Sequence, residues 1–344
     1  MMRTVHFVLP NDIDDVTSPS GGNTYDRRIC QGLAAAGWSV REHAVPGGWP
    51  RPSESERAGL ARVLGTLPDG AIVLLDGLVA SAVPDVLVPL AARLRQVILV
   101  HMPLDGRAEG EALAAARTVI GTSEWARLHL IERYGLPAGH VHAAPPGVDP
   151  APLAPGSAAG TELLCVAAVT AHKGHDVLVE ALAKVADRPW RCLCVGPLGR
   201  EPEFVERLGR QIDGYGLTER VRLAGPRTGD RLDATYAGAD LLVLPSRGES
   251  YGMVIVEALA RGIPVLATAS RGLPEAVGRA PDGSRPGLLV EPGDPASLAG
   301  ALARWLDDAD LRERLRRSAH GRRTGLTGWA GTVEKINHVL AGVA

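Results

Sequence analysis

The chain has 344 residues, of which 45% are hydrophobic and 22% charged, and its formal net charge is −2. This near neutrality, with only 4% aromatic residues, gives no indication of a surface for nucleic acid. No run of 18 apolar residues is present, which excludes an ordinary membrane-spanning helix. The four cysteines show no CxxC spacing and the N-terminal sequence lacks a long apolar region, so we predict a cytoplasmic protein with free thiols.

Short apolar runs alternate with amphipathic segments along the chain, a pattern typical of βαβ units. In the first half this pattern predicts strands at residues 4–9, 39–44, 71–75, 96–100, 118–121 and 140–143. Between them it predicts helices at residues 24–36, 54–67, 86–94, 109–115 and 124–134. Ser123, in the turn GTSEW, is expected to cap the last of these helices rather than to act as a nucleophile.

Residues 144–160 are dense in proline, glycine and alanine, and they predict a linker between two domains. Beyond the linker we predict strands at residues 162–169, 191–195, 221–224, 241–244, 264–267 and 287–290. Helices are predicted at residues 175–186, 203–214, 229–237, 252–261 and 295–306, with no strand after residue 295. The arginine-rich stretch 311–323 is expected to be a solvated helix face.

These elements predict an α/β protein of two doubly wound, Rossmann-like domains that face a central cleft. The first is placed at residues 1–150 and the second at residues 160–325. A helix at residues 329–340, within the C-terminal segment 326–344, is expected to cross back to the first domain. Ligands of such sheets bind outside the carboxyl ends of the strands, so polar residues just after predicted strands are the candidates for function.

The most informative candidates lie in residues 245–278, PSRGESYGMVIVEALARGIPVLATASRGLPEAVG. Glu249 falls in the loop after a predicted strand, and Glu257 falls in the helix that Gly252 opens. Backbone amides at a helix N-terminus suit an anionic or hydroxyl-rich ligand, and a carboxylate accepts hydrogen bonds from vicinal hydroxyls. Either glutamate alone would be taken for a surface residue, but the glycine and the flanking strands favour a ligand site.

A second candidate is Lys173, one of only three lysines in the chain. It lies in VAAVTAHKGHDVLVEAL, where a predicted strand is followed by a short loop, Lys173-Gly174 and a helix. A lysine point charge beside the aligned dipoles of a helix terminus is typical of a phosphate-binding site. A solvated loop lysine is the alternative.

Candidates in the first half are weaker. Gly21 and Gly22 are predicted to precede the first helix, where paired glycines let the backbone approach a ligand closely, although neither GxGxxG nor GxxxxGK[ST] is present. A flexible loop explains them equally well. His101 follows the apolar run VILV, and a buried core histidine is the alternative to a ligand contact. Residues that could line an acceptor pocket by their placement are Asn23, Tyr25, Asp26 and Asp76.

Taken together, these motifs resemble the retaining glycosyltransferases of family four, which have the GT-B fold. The resemblance rests on E-x7-E, read here as Glu249 to Glu257, on KGHDVLVEAL, and on GLLVEPGDPASLAGAL. In the first half GTSEWAR and PPGVD are similar to the family's turn and linker entrance. The match is dense at residues 160–305 and thin before residue 120.

The resemblance implies a nucleoside-diphosphate sugar, by default a UDP-sugar, bound mainly by the second domain, and a hydroxyl acceptor on the first. Lys173 would contact the diphosphate, Glu249 the sugar hydroxyls and Glu257 the ribose, with His101 near the reaction centre. We count Lys173, Glu249 and His101 as catalytic candidates. The remaining donor-binding candidates are Gly21, Gly22, Arg227, Ser250, Tyr251, Gly252, Met253 and Val254.

One position departs from the family pattern. Relatives often carry an arginine five residues before the Lys-Gly lysine, and this chain has Ala168 there. Arg227, Arg247 or Arg271 would have to replace that charge. The departure leaves open a non-catalytic relative that only binds nucleotide sugars. Which base, sugar and acceptor are recognised, and the oligomeric state, are not readable from the sequence.

Further alternatives are weighed by motif. A hydrolase or epimerase of the same fold would turn over the donor without an acceptor. A dehydrogenase would need GxGxxG after the first strand, which the loop at residues 10–22 lacks. No HExxH or Cys/His cluster is present and no acidic pair is assigned to a metal, so we predict no required metal or cofactor. No basic amphipathic helix indicates peripheral membrane binding, which mildly favours a small molecule or glycan end as acceptor. The family resemblance, with these alternatives set aside, implies a metal-independent, retaining hexosyltransferase.

Overall fold

The computed structural model describes residues 3–344, which divide into two compact units. The first unit contains the N-terminal strand, Gly21–Gly147 and Thr327–Ala344. The second contains Val148–Leu326 together with the short segment Val16–Ser20. Among residues 3–344, no helix combines the length and apolar character that a bilayer crossing requires.

The first unit is built on a parallel six-stranded sheet in the order β2-β1-β3-β4-β5-β6. Its strands are β1 (Arg3–Pro10), β2 (Trp38–Val45), β3 (Ile72–Asp76), β4 (Arg95–Val100), β5 (Thr118–Gly121) and β6 (Val141–Ala143). Its helices are α1 (Gly21–Ala35), α2 (Glu54–Gly65), α3 (Gly77–Ala80), α4 (Pro84–Leu87), α5 (Arg107–Ala115) and α6 (Glu124–Tyr134).

Both faces of this sheet are covered, because its central strands are apolar without alternation. All five residues of β3 are buried, and the two sides of the sheet carry separate apolar clusters. Ser123 caps α6 as expected, since its hydroxyl accepts from the Ala126 amide at 2.9 Å. The predicted doubly wound α/β arrangement is confirmed for this half of the chain.

Two local predictions in the first half are wrong. The helix expected at residues 86–94 is only α4 followed by a 3-10 turn at Val88–Leu90. Pro89 lies in that turn and lacks the amide that a continuing α-helix would need. Gly21 and Gly22 do not precede α1 but form its first two residues.

The second unit holds another parallel six-stranded sheet, in the order β12-β11-β10-β7-β8-β9. Its strands are β7 (Glu162–Val166), β8 (Arg191–Val195), β9 (Val221–Leu223), β10 (Leu241–Leu244), β11 (Val265–Thr268) and β12 (Gly287–Val290). Its helices are α7 (His175–Ala183), α8 (Pro202–Gly214), α9 (Gly229–Ala237), α10 (Met253–Ala260), α11 (Leu273–Val277), α12 (Pro295–Asp307) and α13 (Ala309–Arg323).

Apolar clusters again cover both faces of the second sheet, as expected for buried parallel strands. Cys192 and Cys194 point to one face of β8, and Cys165 on β7 is the register partner of Cys194. All four cysteines are buried and free, as the sequence predicts.

The arginines of α13 contradict the expectation of a simply solvated face. Arg316 pairs with the buried Asp240 at 3.1 Å, and Arg312 donates to the carbonyls of Trp305 and Leu306 at 2.8 and 2.9 Å. These bonds tie α13 to the rest of the second unit. Those of Arg312 also satisfy backbone carbonyls that would otherwise lack a partner.

The last helix, α14 (Trp329–Val343), packs within the first unit. It lies against α1, where a β-carbon at Gly32 would come within 2.2 Å of Val333. Asn337 accepts a hydrogen bond from the indole of Trp38 at 2.8 Å. Gly32 is therefore the residue that allows the two helices to approach closely.

Candidate functional site

The second sheet reverses its winding direction between β7 and β10. From β7 the chain winds outward through β8 and β9, and from β10 it winds the other way through β11 and β12. Loops that leave the carboxyl ends of two such strands diverge and form a crevice, which is where ligands bind in open α/β sheets. The loop after β7 carries Lys173, and the loop after β10 carries Glu249.

Lys173 and Glu249 meet at this crevice. The ammonium of Lys173 lies 2.6 Å from Oε1 of Glu249, and the two side chains are 26% and 13% exposed. The hydroxyl of Ser246 donates to the same carboxylate oxygen at 2.9 Å. The ammonium has three donors, so this ion pair leaves hydrogen-bonding capacity for an anionic ligand.

The turn at Lys173 is built by the glycine that follows it. Gly174 has φ +72, and a β-carbon there would lie 2.2 Å from the carbonyl oxygen of Pro245. The backbones of the two loops therefore touch directly, and they are joined by a hydrogen bond from the Arg247 amide to the His172 carbonyl at 2.9 Å. This contact fixes the position of Lys173 relative to the loop of Glu249.

Replacing Gly174 with alanine is expected to lower the free energy of unfolding by about 1–3 kcal/mol from backbone strain alone, with a further cost from displacing Pro245. Urea denaturation measures the change. Gly209→Ala in α8 is the matched control, because a β-carbon there meets no atom within 4 Å. That substitution should leave stability unchanged or raise it by about 0.5–1 kcal/mol, and an equal loss in both variants would contradict the role of the close contact.

The end of β11 and the segment after it hold the loop that carries Glu249 through hydrogen bonds. Thr268 donates to the carbonyl of Ser246 at 2.6 Å, and Ser270 donates to that of Arg247 at 2.9 Å. The Gly272 amide donates to the Glu249 carbonyl at 2.9 Å. These bonds make the loop a fixed support for the side chain of Glu249.

Gly252 follows with φ +92 and turns the chain into α10. No side chain caps this helix, so the amides of Met253 and Val254 remain available as donors at its N-terminus. Ser250 is buried, and its hydroxyl has no partner among the described residues. Tyr251 is partly buried, and burial raises the pKa of its hydroxyl to about 12, so it stays protonated.

Glu257 lies one turn into α10 and accepts a hydrogen bond from the Tyr236 hydroxyl at 2.7 Å. Burial raises the pKa of Glu257, although this hydrogen bond and the charge of Arg261 oppose the shift. Tyr236, on α9, is fully buried. The sequence analysis missed Tyr236, because nothing in its local pattern distinguishes it from a core residue of an amphipathic helix.

The three arginines considered as replacements at Ala168 differ in what they contact. Arg247 donates to both carboxylate oxygens of Asp176, at 3.0 and 2.8 Å, and also to the carbonyl of Ala171. Its guanidinium is committed to this bidentate pair, which holds the start of α7.

Arg227 and Arg271 are placed differently. Arg227 donates from Nη1 to the hydroxyl of Thr235 at 2.7 Å, and its Nε is buried without a partner among the described residues. Arg271 has φ 51 and lies over Gly248, where a β-carbon would be 2.8 Å from its Nε. Of the three side chains, Arg227 is the one with a buried donor left to satisfy.

In the first unit, three of the predicted residues come together at the carboxyl edge of the sheet. Nε2 of His101 lies 2.7 Å from Oδ1 of Asp26 and 3.6 Å from Oδ2 of Asp76. Sequence reasoning found no acidic pair of this kind, because the two aspartates are 50 positions apart in the chain. The two buried carboxyls hydrogen-bond to each other, and burial raises the pKa of both.

The other first-unit candidates have structural contacts. Tyr25 is 1% exposed, and its hydroxyl donates to the carbonyl of Ala144 at 2.8 Å, so it is a core residue and cannot line an acceptor pocket. Asn23 donates to the carbonyl of Asp12 at 3.0 Å and holds the loop before α1. A β-carbon at Gly22 would lie 3.4 Å from the ring of His101.

The two doubly wound sheets, with polar residues gathered at their carboxyl edges, define a class: the chain has the GT-B fold of glycosyltransferases. Sucrose-phosphate synthase from Thermosynechococcus elongatus superposes with a TM-score of 0.81, covering 99% of each chain at 22% identity. The Anabaena protein HepE, solved in complex with UDP and glucose, gives a TM-score of 0.75 and covers 99% of this chain and 100% of its own at 19% identity.

Sequence comparison then identifies the family of the second unit. Residues 159–322 match the family described as "Glycosyl transferases group 1". A D-inositol 3-phosphate glycosyltransferase from Corynebacterium jeikeium is 36% identical over 202 residues, which are 53% of this chain and 47% of that protein. The chain spans about half the length of the curated relatives it matches. The resemblance drawn from the E-x7-E motif is thereby confirmed.

Proposed function

We propose that this protein is a retaining glycosyltransferase that transfers a hexosyl group from a nucleoside-diphosphate sugar to a hydroxyl acceptor. The observation that carries the proposal is the Lys173–Glu249 pair beside the uncapped N-terminus of α10, at the switch point of the second sheet. The cation and the free backbone amides match the diphosphate of such a donor, and the carboxylates of Glu249 and Glu257 match its sugar and ribose hydroxyls.

In this proposal each residue has a separate role on the donor. Lys173 and the amides after Gly252 bind the diphosphate and stabilise the charge that grows on it as the glycosidic bond breaks. Glu249 accepts hydrogen bonds from the sugar, and Glu257 accepts them from the ribose. Arg227, with its unpartnered Nε, supplies the second positive charge that Ala168 cannot provide.

The reaction follows from the same geometry. The C–O bond between the sugar and the diphosphate breaks, and the acceptor hydroxyl attacks the resulting oxocarbenium-like carbon from the same face. The leaving phosphate takes the proton of the acceptor, so neither a protein base nor a metal is required. Glu249 is not assigned as a nucleophile, because same-face attack by the acceptor hydroxyl requires no covalent intermediate on the protein.

The acceptor is proposed to bind the first unit, and we expect a small polyol or the end of a glycan. The curated relatives are named for D-inositol 3-phosphate, which supports a polyol as the acceptor.

The nucleotide in the HepE structure is UDP, and UDP is therefore our first choice of nucleotide. A cytoplasmic location, inferred from the free cysteines, stays a prediction.

A thermal-shift panel tests the donor class. A ligand that binds only the folded state raises the melting temperature as it saturates the protein. We expect a shift with one nucleoside diphosphate among UDP, GDP, ADP and TDP, and a larger one with one of its sugar conjugates. A shift with NAD alone would overturn the transferase. Binding without transfer to any polyol or glycan acceptor would point to a non-catalytic relative, and donor breakdown without an acceptor would point to a hydrolase.

A further inference from the structure

We propose that Asp26 and Asp76 are positioning residues that hold His101 with its ring proton on Nε2, so that Nδ1 presents a lone pair to a substrate hydroxyl. The inference deepens the proposed function and rests on it for the identity of that hydroxyl, which belongs to the sugar donor or its acceptor. The network itself can be tested without any turnover.

The first step is the convergence of three elements. Asp26 lies on the second turn of α1, Asp76 ends β3, and His101 directly follows β4. The strands β3 and β4 are neighbours in the sheet, and β3 also borders β1, the strand that precedes α1 in the chain. The two aspartate side chains are 1% and 2% exposed, whereas that of His101 is 13% exposed. Only the imidazole of this group reaches solvent to a useful extent.

The second step is the location of the protons. Two buried carboxyls that hydrogen-bond to each other cannot both be ionised. Burial raises the pKa of Asp76 well above its usual range, and the negative charge of Asp26 raises it further. Burial also raises the pKa of Asp26, to about 7. Because the pKa of Asp76 is raised further than that of Asp26, Asp76 is the protonated partner that donates, and above about pH 7 Asp26 is the carboxylate that accepts.

The third step is the tautomer of the imidazole. Burial lowers the pKa of His101, so the ring is neutral and carries one proton. Nε2 faces the Asp26 carboxylate at 2.7 Å, and a carboxylate can only accept, so that proton is on Nε2. Nδ1 is then an acceptor with a free lone pair.

The fourth step is what Nδ1 can reach. No described residue hydrogen-bonds it, and it is not among the buried polar atoms that lack a partner, so it keeps contact with solvent. The ring lies beside Gly22 of α1, where an added β-carbon would meet it at 3.4 Å, and it packs edge to face with the Tyr25 ring at a centroid separation of 5.1 Å. A fixed, outward-facing acceptor at the carboxyl end of a strand suits a sugar or polyol hydroxyl.

Nuclear magnetic resonance of protein with ¹⁵N-labelled histidine reads the tautomer directly. The His101 signals are assigned by their loss in His101→Gln, and two-bond couplings show which nitrogen carries the proton. We expect Nε2–H in the wild type. Asp26→Asn should remove that preference, because an amide can donate to Nε2. Asp76→Asn should keep it, because its amide donates to Asp26 as the protonated carboxyl does.

Three results would overturn the network: an Nδ1–H ring in the wild type, an unchanged tautomer in Asp26→Asn, or a divalent cation that copurifies at one per chain and is lost in Asp26→Asn. The last would make the group a metal centre. The exposed, ion-paired Asp85 provides the control Asp85→Asn, which should leave the His101 signals in place.

Kinetics connects the network with the reaction. Asp26→Asn should lower kcat by about tenfold to a hundredfold with a smaller change in KM, as for a hydrogen bond that matters in the transition state. Asp76→Asn should lower kcat clearly less than Asp26→Asn does. An Asp26→Asn enzyme with unchanged kcat would overturn the role in catalysis. A wild type that transfers no sugar would contradict the proposed function, while the tautomer would still decide on the network.

Discussion

Replacing Lys173 with methionine is expected to lower donor turnover by about a hundredfold to a thousandfold, the range seen when one group that stabilises transition-state charge is removed. Lys173 is the cation that lies at the switch point of the second sheet, and its position is fixed by the contact of Gly174 with Pro245. Methionine keeps most of the length and apolar stem of lysine and removes the ammonium with its charge and its hydrogen-bond donors. Steady-state turnover of the donor, with the chosen acceptor at saturation, measures the effect.

The loss of donor turnover in Lys173→Met needs to be separated from an indirect effect on Glu249, because Glu249 would lose its ion-pair partner in that variant. Binding of the nucleoside diphosphate without its sugar makes that separation, because Glu249 is assigned to the sugar. Glu249→Gln should bind the diphosphate nearly as the wild type does. Lys173→Met should bind it at least about tenfold more weakly, as expected for a lost charge-assisted hydrogen bond.

The double variant and a distant lysine complete the design. If Lys173 only neutralised Glu249, the double variant Lys173→Met with Glu249→Gln would recover diphosphate binding. We expect it to stay as weak as Lys173→Met alone. Lys184→Met is the matched control, since Lys184 is exposed at the end of α7 and its one ion-pair partner among the described residues is Glu180, at 3.5 Å. A comparable loss in Lys184→Met would mean that the effect is electrostatic at long range and not local.

Much of the second unit was predictable because its signals are local in sequence. The block from Pro245 to Gly278 contains the loop, the helix start and the next strand, so spacing alone places Glu249 before α10 and Glu257 within it. The alternation of apolar runs and helices likewise predicts the two parallel sheets, because strands buried on both faces are continuous apolar segments.

What the sequence could not predict depends on contacts between distant segments. Tyr236 reaches Glu257 from α9, and Asp26 reaches His101 across 75 positions. The commitment of Arg247 to Asp176 is equally non-local, at 71 positions. Side chains of these types occur on any surface, and only the packing of helices against the sheet decides which of them become buried partners.

The start of α1 illustrates a different limit. Paired glycines usually indicate a turn, since glycine is unfavourable inside a helix. Gly21 and Gly22 are nevertheless helical, and Gly22 is where the His101 ring packs against the helix backbone. The burial of Tyr25, Ile29 and Leu33 against the sheet stabilises α1 and outweighs the low helix propensity of its first turn, which is information that tertiary structure alone provides.

Replacing Glu257 with glutamine is expected to weaken nucleoside-diphosphate binding by about tenfold to a hundredfold, the cost of losing a charged acceptor for hydroxyl hydrogen bonds. The fold should persist, and the melting temperature should hold or rise. Burial raises the pKa of Glu257, which means that the folded state disfavours its ionised form near neutral pH, and glutamine removes that penalty. Isothermal titration calorimetry and thermal unfolding measure the two effects.

A nucleotide lacking the ribose hydroxyls tests the assigned partner directly. The wild type should bind the ribonucleotide better than its dideoxy analogue by the same tenfold to hundredfold factor, about 1.4 to 2.8 kcal/mol, and Glu257→Gln should bind the two almost equally. Glu180→Gln, on the exposed face of α7, serves as the control and should keep the full discrimination. If Glu257→Gln still discriminated as the wild type does, the ribose would have to be held by another group.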